Sequence, residues 1–370
     1  MRVLMLSKAC LVGIYQRKLE HIADAGIDLL TLVPPSWSDE RGELRLERAY
    51  TRGYRLETLP IVRNGDYHLH FYPTLGARIR AFQPDIVHID EEPYNLAAWQ
   101  AMFYARKHGA RALFFSWQNL QRRYPPPFAW GERYVLARAD AAIAGTQSAA
   151  DVWRAKGFAR PLAVIPQFGT DPDLFQPPAA QRERPFTIGY IGRLVPEKGV
   201  SVLLDAFALL ISAGKYLDAD ARLLIVGGGT NRAELQTHAE SLGIAARVEW
   251  REQVPSTAMP GIYHEIDVLV LPSLTRPNWK EQFGRVLVEA MMSGVAVVGS
   301  DSGAIPDVIG DAGLVVPEGN VEALAVALSA TRADRKRADM ARRGRERALA
   351  HFTHAQIAAA TVAVYRQLMA

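Results

Sequence analysis

Thr187-Ile188-Gly189-Tyr190-Ile191-Gly192-Arg193-Leu194-Val195-Pro196-Glu197-Lys198-Gly199 is the stretch whose reading decides the architecture. A run of strand-forming residues, Thr187–Ile191, stops at a glycine and passes into a loop bearing two cations and a proline. Short apolar runs of this kind, alternating with longer amphipathic segments, mark βα units around a parallel sheet buried on both faces. The same pattern gives strands at Arg222–Val226, Val248–Trp250, Val268–Leu271, Ala296–Gly299 and Gly313–Val316. In the first half it gives Arg2–Leu6, Asp28–Val33, Ile86–Ile89, Ala112–Phe115, Ala141–Ala144 and Leu162–Ile165, with helices over Asn95–His108 and Ser148–Lys156. The fold class is therefore α/β, with two sequential Rossmann-like domains. Ligands of such sheets bind beyond the carboxyl ends of the strands, so the expected active site is a cleft faced by both sheets.

Length points the same way, since 370 residues exceed one ordinary core and suit two domains. These are expected at residues 1–180 and 181–351, with a final amphipathic helix over 352–370 (Ile357, Val362, Tyr365, Leu368) packing back on the first. Asp171–Pro178, followed by Ala179 to Pro185, is polar and proline-bearing, and reads as a linker with few core contacts.

Composition narrows the function classes. Hydrophobic residues make up 49% and charged residues 22%, which suits a soluble globular protein. The single cysteine, Cys10, excludes an intramolecular disulfide and a thiolate metal cluster. The first thirty residues lack a signal-peptide pattern and no apolar run reaches the roughly 18 residues of a membrane span, so the expected location is cytoplasmic. Residues 1–185 carry 24 Lys and Arg against 19 Asp and Glu, whereas residues 186–370 carry 19 against 20. That imbalance is either scatter or a leaning of the first half toward an anionic membrane surface or substrate, a peripheral contact. Aromatics do not interleave with the basic residues, so nucleic acid is not an expected partner. The basic run at 332–347 reads as a solvated helix face.

The chemistry concentrates in Lys280-Glu281-Gln282-Phe283-Gly284-Arg285-Val286-Leu287-Val288-Glu289-Ala290-Met291, which leaves a loop and enters a helix near Phe283 or Gly284. If the whole interval were helical, Glu281 and Glu289 would stand about 12 Å apart along the axis at 1.5 Å per residue. Paired glycosidase carboxylates stand roughly 5–9.5 Å apart around one bond. The two glutamates therefore suit the two ends of an extended ligand, with a helix start between them to meet an anion. A nucleotide diphosphate-sugar has that shape. Arg193 and Lys198 place two cations at the end of a strand, where Arg grips phosphate bidentately and Lys acts as a point charge. Gly192 lets backbone come close, and Gly227-Gly228-Gly229 ends a further strand. Each of these features taken singly also fits an ordinary solvated loop.

In combination they resemble the family 4 glycosyltransferases, retaining enzymes with the GT-B fold. The resemblance covers nearly the whole chain. It rests on Gly192-Arg193 with Lys198-Gly199, the glycines at 227–229, Tyr263-(x3)-Asp267-Val268-(x3)-Pro272-Ser273, and Glu281-(x)-Phe283-Gly284-(x4)-Glu289-Ala290-Met291 with Gly294. Ser302-Gly303-Ala304-Ile305-Pro306-Asp307-Val308-Ile309 and Val164-Ile165-Pro166-Gln167-Phe168-Gly169-Thr170-Asp171-(x3)-Phe175 extend it. The resemblance implies a nucleotide diphosphate-sugar as co-substrate, UDP- or GDP-linked, and a glycan, lipid-linked or small-molecule acceptor. It implies that Arg193 and Lys198, beside Gly192, bind the diphosphate and stabilise the charge it gains on leaving. Glu281 then lies at the donor sugar, Glu289 meets the ribose hydroxyls, and the N–H groups of Gln282, Phe283 and Gly284 contact sugar and phosphate. Fixed positive charge stands in for a metal ion, and no metal or other cofactor is expected. Transfer is front-side with retained configuration, the leaving phosphate helping to deprotonate the acceptor.

The first half departs from that pattern twice. Ser7-Lys8-Ala9-Cys10-Leu11-Val12-Gly13 offers only Gly13 where many relatives carry paired glycines, and Ser116-Trp117-Gln118-Asn119 puts Gln118 where many carry histidine. Glutamine is no general base. It can hydrogen-bond a sugar hydroxyl, and Trp117 can stack on a sugar ring; equally, this is a strand end with a half-buried tryptophan. His88 reads as a packed strand residue. Asp90, Glu91 and Glu92 either meet acceptor hydroxyls or form a plain acidic loop, and Arg122–Phe128 is either an acceptor or membrane-touching loop or a surface turn. The competing functions are nucleotide-sugar hydrolysis or epimerisation, a non-catalytic sugar-nucleotide-binding protein, and an NAD-dependent dehydrogenase. The last predicts a glycine fingerprint followed by an acidic residue on the next strand, and neither half displays that clearly.

Overall fold

The strand Arg2–Leu6 (β1) is buried from Val3 onward, and its side chains alternate between two apolar layers. Val3 and Met5 pack with Leu19 and Ile22 of helix Arg17–Asp24 and with Ile357 and Tyr365 of helix His354–Met369. Leu4 and Leu6 meet Ile79 and Phe82 of helix Leu75–Phe82 and Ala101 and Met102 of helix Leu96–Lys107. A sheet covered by helices on both faces is the direct result of that pattern. The computed structural model describes residues 1–39, 42–179, 184–212, 221–255 and 258–370. They form two compact units, Met1–Gly169 with His354–Ala370 and Thr170–Thr353.

In the first unit β2 (Asp28–Val33) pairs with β1, and after it in sequence comes a small antiparallel hairpin of β3 (Ser36–Asp39) and β4 (Gly42–Arg45). β5 (Arg55–Thr58), β6 (Ile86–Ile89), β7 (Arg111–Ser116), β8 (Ala141–Ala144) and β9 (Leu162–Val164) complete a seven-stranded sheet in the order β5-β2-β1-β6-β7-β8-β9. Every neighbour in it is parallel. The second unit has β10 (Thr187–Ile191), β11 (Arg222–Val226), β12 (Val248–Arg251), β13 (Val268–Leu271), β14 (Ala296–Ser300) and β15 (Leu314–Val316), in the order β12-β11-β10-β13-β14-β15. Ile188 and Tyr190 of β10 face helix Val200–Ser212, while Leu269 and Leu271 of β13 face helix Arg285–Met292. The strand order reverses once in each sheet, between β1 and β6 and between β10 and β13. Such reversals are where crossover loops diverge and leave a crevice.

Two expectations change. The unit boundary lies between Gly169 and Thr170, before the expected 180/181, and the segment after it is not free of core contacts. Phe175 is 2% exposed and meets Tyr263 edge-on, with ring centroids 5.9 Å apart. Thr170 also donates from its amide to the Phe352 carbonyl at 2.8 Å. One aromatic at the right spacing thus anchors a segment whose prolines suggested a tether; residues 180–183 of that segment lie outside the described residues. The strands at Ser36–Asp39, Gly42–Arg45 and Arg55–Thr58 add to those expected; their pattern is weak, because β4 is exposed throughout and β5 buries only Leu56. Helix His354–Met369 belongs to the first unit, where the Tyr365 hydroxyl and His88 Nδ1 share a 2.6 Å hydrogen bond. Among the described residues no helix is long and apolar enough to cross a membrane.

Truncation of a buried phenylalanine costs about 3–5 kcal/mol through lost transfer free energy and an unfilled cavity. Phe175→Ala should lower the urea midpoint of the second unit accordingly, and an unchanged midpoint would return the segment to the status of a linker.

Candidate active site

Loops after β10, β13 and β14 are drawn together at the reversal of the second sheet. The Leu274 amide donates to the Glu197 carbonyl at 2.8 Å, and the Ala304 amide to the Glu281 carbonyl at 3.1 Å. Two glycines permit this approach. Gly199 (φ +66°) and Gly303 (φ +58°) adopt left-handed backbone, and a Cβ on either would stand 2.0 Å from a carbonyl oxygen, that of Pro272 or of Glu281.

The stitched loops hold two separate carboxylates. Glu281 Oε2 accepts from Lys198 Nζ at 2.5 Å and from Ser273 Oγ at 2.9 Å, and both members of the ion pair are largely buried. Lys198 Nζ also lies 5.0 Å from the centre of the Trp279 ring, and the Ser300 hydroxyl holds the Ser273 carbonyl at 2.5 Å. Three residues on, Gly284 caps helix Arg285–Met292 in a left-handed conformation, φ +78°. Gln282 is exposed, and half-buried Phe283 packs edge-on against Phe352 at 5.7 Å. Glu289 is buried one turn into the helix. Its Oε2 accepts from the Tyr263 hydroxyl at 2.7 Å and its Oε1 lies 2.9 Å from Arg285 Nε. Burial raises the Glu289 carboxyl above its ordinary range, opposed by Arg285 and the Tyr263 hydroxyl. Arg193 is largely exposed and pairs at 3.8 Å with Glu197. Gly192 donates to the Val226 carbonyl at 3.0 Å, which keeps β10 and β11 together to their ends. Glu281 and Glu289 therefore have no partner in common among these contacts.

At the reversal of the first sheet the acidic run after β6 is neither plain nor solvated. The Asp90 carboxylate accepts from the Ser7 hydroxyl and from Gln167 Nε2 at 2.9 Å. Glu91 pairs with Lys8 and accepts from Asn95 Nδ2 at 3.0 Å. Burial alone would raise the Glu91 carboxyl, but Lys8 and His70 hold it at about 2. Glu92 accepts from the Ser116 hydroxyl at 2.5 Å and from the Trp117 amide at 2.8 Å; burial outweighs both donors and lifts its carboxyl to about 7. Half-buried Trp117 donates from its indole to Gln167 Oε1 at 2.8 Å. Buried Gln118 donates through Nε2 to the Leu120 carbonyl at 3.0 Å, while its Oε1 has no partner among the described residues. The Gly13 amide donates to Glu47 Oε2 at 2.6 Å.

Two family models divide the chain almost completely between them. Residues 173–347 match "Glycosyl transferases group 1", and residues 17–172 match "Glycosyltransferase Family 4". The chain belongs to the family 4 glycosyltransferases. A 2-deoxystreptamine glucosyltransferase of Streptomyces kanamyceticus is 31% identical over 48% of this family 4 chain and 47% of its own length. A GDP-mannose-dependent phosphatidylinositol monomannoside mannosyltransferase of Mycobacterium tuberculosis is 35% identical over 51% and 52%. These matches span about half the length of the two relatives. Among solved structures, sucrose-phosphate synthase of Thermosynechococcus elongatus aligns with TM-score 0.73 and 22% identity over 100% of this chain and 99% of that one. The Anabaena protein HepE in complex with UDP aligns with TM-score 0.76 and 19% identity over 99% and 100%. The fold is GT-B.

Within the second unit, Lys198 and Glu281 come together, Arg193 stands in the same loop as Lys198, and Glu289 stands apart with partners of its own. The supporting residues Ser273, Trp279 and Tyr263 were not assigned roles from sequence. Tyr263 and Ser273 lie inside motifs that mark the family, so a signal existed, but hydroxyl partners of a buried carboxylate obey no fixed spacing. Glu92 was missed as a distinct group for the same reason: its donors sit 24 and 25 residues away.

The raised Glu92 carboxyl gives a signed pH dependence. From its ordinary 4.5 up to about 7 the folded state retains a proton that the unfolded state has released, so this contribution is complete below 4.5 and lost as pH rises. Glu92→Gln should remove it. The stability of the variant relative to the parent should rise by on the order of 1–2 kcal/mol between pH 4.5 and 8, as measured by urea unfolding; a flat difference would contradict the assignment.

Proposed function

We propose that this protein is a metal-independent, retaining glycosyltransferase that takes its sugar from a UDP- or GDP-linked donor. Its acceptor is a glycan, a lipid-linked saccharide or a small molecule. The observation that carries this reading is the buried Lys198–Glu281 pair beside the start of helix Arg285–Met292, at the order reversal of the sheet. A diphosphate entering there offers Lys198 a doubly charged partner, and Arg193, largely exposed and in a long 3.8 Å surface contact with Glu197, can turn toward the same phosphates. Glu281, relieved of its cation, is then an acceptor for donor-sugar hydroxyls. Glu289 offers its oxygens to the ribose hydroxyls at the other end of the ligand.

In the transfer step the anomeric carbon–phosphate oxygen bond breaks and its electron pair leaves on the nucleoside diphosphate. The acceptor oxygen bonds to the same face of that carbon, and its proton passes to the departing phosphate. Lys198, Arg193 and the amides of Gln282, Phe283 and Gly284 stabilise the charge that develops. That the Mycobacterium tuberculosis relative is GDP-mannose-dependent and that HepE is solved with UDP-glucose supports a nucleotide-sugar donor without choosing the base. The acceptor side falls to the first unit. A cytoplasmic location with peripheral membrane contact is compatible with this role.

Lys198→Ala and Arg193→Ala should each lower kcat/KM at least about tenfold, ~1.4 kcal/mol of transition-state stabilisation. Turnover should continue in the presence of a chelator, and UDP or GDP should raise the melting temperature by binding the folded state. A response to NAD alone would replace this reading with a dehydrogenase, and complete inhibition by chelator would end its metal-independent form.

A further inference from the structure

Among the described residues one tryptophan and one phenylalanine are exposed, Trp130 at 61% and Phe103 at 50%. The chain has seven tryptophans and thirteen phenylalanines, so these two are exceptions to how it treats large aromatic rings. Both lie in the helix layer that covers one face of the first sheet. Helices Leu75–Phe82, Leu96–Lys107 and Phe128–Arg138 pack there through Ile79, Ala101 and Val135. The three run side by side in one direction. The Tyr72 amide donates to Gln100 Oε1 at 3.0 Å, and Gly76 lies against the Tyr104 ring. Gly131 lies against the Trp99 ring, and Arg106 Nε donates to the Arg138 carbonyl at 3.0 Å. Trp99 and Tyr104 thus each rest on a glycine of the neighbouring helix, and both are half-buried. Phe103 and Trp130 turn outward instead.

The charge of these helices has one sign. They carry Arg78, Arg80, Arg106, Lys107, Arg133 and Arg138 against a single acid, Glu132, which is buried and paired with Lys156. That surplus of cations equals the whole excess of residues 1–185, so the imbalance is localised rather than scattered. Arg78 pairs with Glu57 and Arg106 with Asp140. Arg80, Lys107, Arg133 and Arg138 are exposed, and no ion pair among the described residues holds them. On helix Gln147–Ala155, the next of the layer, exposed Asp151 accompanies Arg154, and the single-sign surface ends.

Exposed aromatics among cations suit a partner that is anionic at its surface and apolar just beneath. A Trp or Phe tip leaves water by entering the boundary between headgroups and acyl chains, while the cations beside it meet lipid phosphates. A protein interface keeps charge out of its centre, whereas here cations and aromatics are interspersed over three helices. A nucleic acid needs a groove that tracks its backbone, and these rings stand on outer helix faces.

We propose that the outer face of helices Leu75–Phe82, Leu96–Lys107 and Phe128–Arg138 is a docking surface for an anionic lipid bilayer. Trp130 and Phe103 enter the headgroup layer, and Arg80, Lys107, Arg133 and Arg138 meet its phosphates. The surface stands on the first unit alone and does not depend on the donor reading.

The full chain can be sedimented with vesicles of phosphatidylcholine and with vesicles of phosphatidylcholine and phosphatidylglycerol in equal parts. Partition to the mixed vesicles should exceed that to phosphatidylcholine by at least about tenfold and weaken as salt is added. Lys107→Gln combined with Arg133→Gln should lower it by at least about tenfold. Trp130→Ala and Phe103→Ala should each lower it severalfold, and quenching of tryptophan fluorescence by brominated lipid should be lost in Trp130→Ala. All of these positions are exposed, so the variants should melt with the parent. Equal binding to both kinds of vesicle, binding to neither, or variants that bind as the parent does would overturn the proposal. So would self-association in place of vesicle binding, abolished by Trp130→Ala, which would assign the face to a second copy of this chain. The response to UDP or GDP is read separately: its absence would remove the donor reading and leave the docking surface standing.

Discussion

A parallel sheet whose strand order reverses cannot close over its own carboxyl edge at the reversal. Strands on either side send their crossovers in opposite directions, and the loops between them diverge. In this chain that constraint applies twice, beside β1 and β6 and beside β10 and β13. The residues with chemistry worth explaining gather at those two places. The apolar layers on both faces of β1 and β10 pack the helices against the strands that end at these edges.

What fills the two edges differs in kind. In the second unit the dominant interaction is an ion pair kept mostly from water, Lys198 with Glu281, braced by Ser273. A buried pair of this sort gains little net stability, because desolvating both charges offsets their attraction. On the proposed function, an arriving diphosphate makes use of it: both partners are already positioned, and separating them frees a cation and an acceptor together. Glu289 is held by the same kind of set, one cation, Arg285, and one hydroxyl, that of Tyr263.

In the first unit three consecutive carboxylates are each given a different environment. Asp90 has a hydroxyl and an amide, Glu91 a lysine, and Glu92 a hydroxyl and a backbone amide. Lys8 and His70 together hold Glu91 near 2, whereas burial carries Glu92 to about 7 against its two donors and the charge of Lys8. Adjacent residues of one type thus acquire opposite proton affinities from partners that arrive from other parts of the chain.

Sequence determined the period of the elements, and with it the two parallel sheets, because alternation of short buried strands and amphipathic helices is local information. It also determined that Gly192, Arg193, Lys198, Glu281, Gly284 and Glu289 stand at strand ends and a helix start, since motif spacing along one chain fixes those positions. Sequence did not reveal that Phe175 is a core residue, that β4 and β5 are strands, or that Glu92 differs from Glu91. Each of those depends on which distant segment supplies the neighbour: Tyr263 for Phe175, β2 for β5, Ser116 and Trp117 for Glu92. Only the tertiary structure decided them, because burial and hydrogen bonding are properties of the assembled edge, while spacing is a property of the chain.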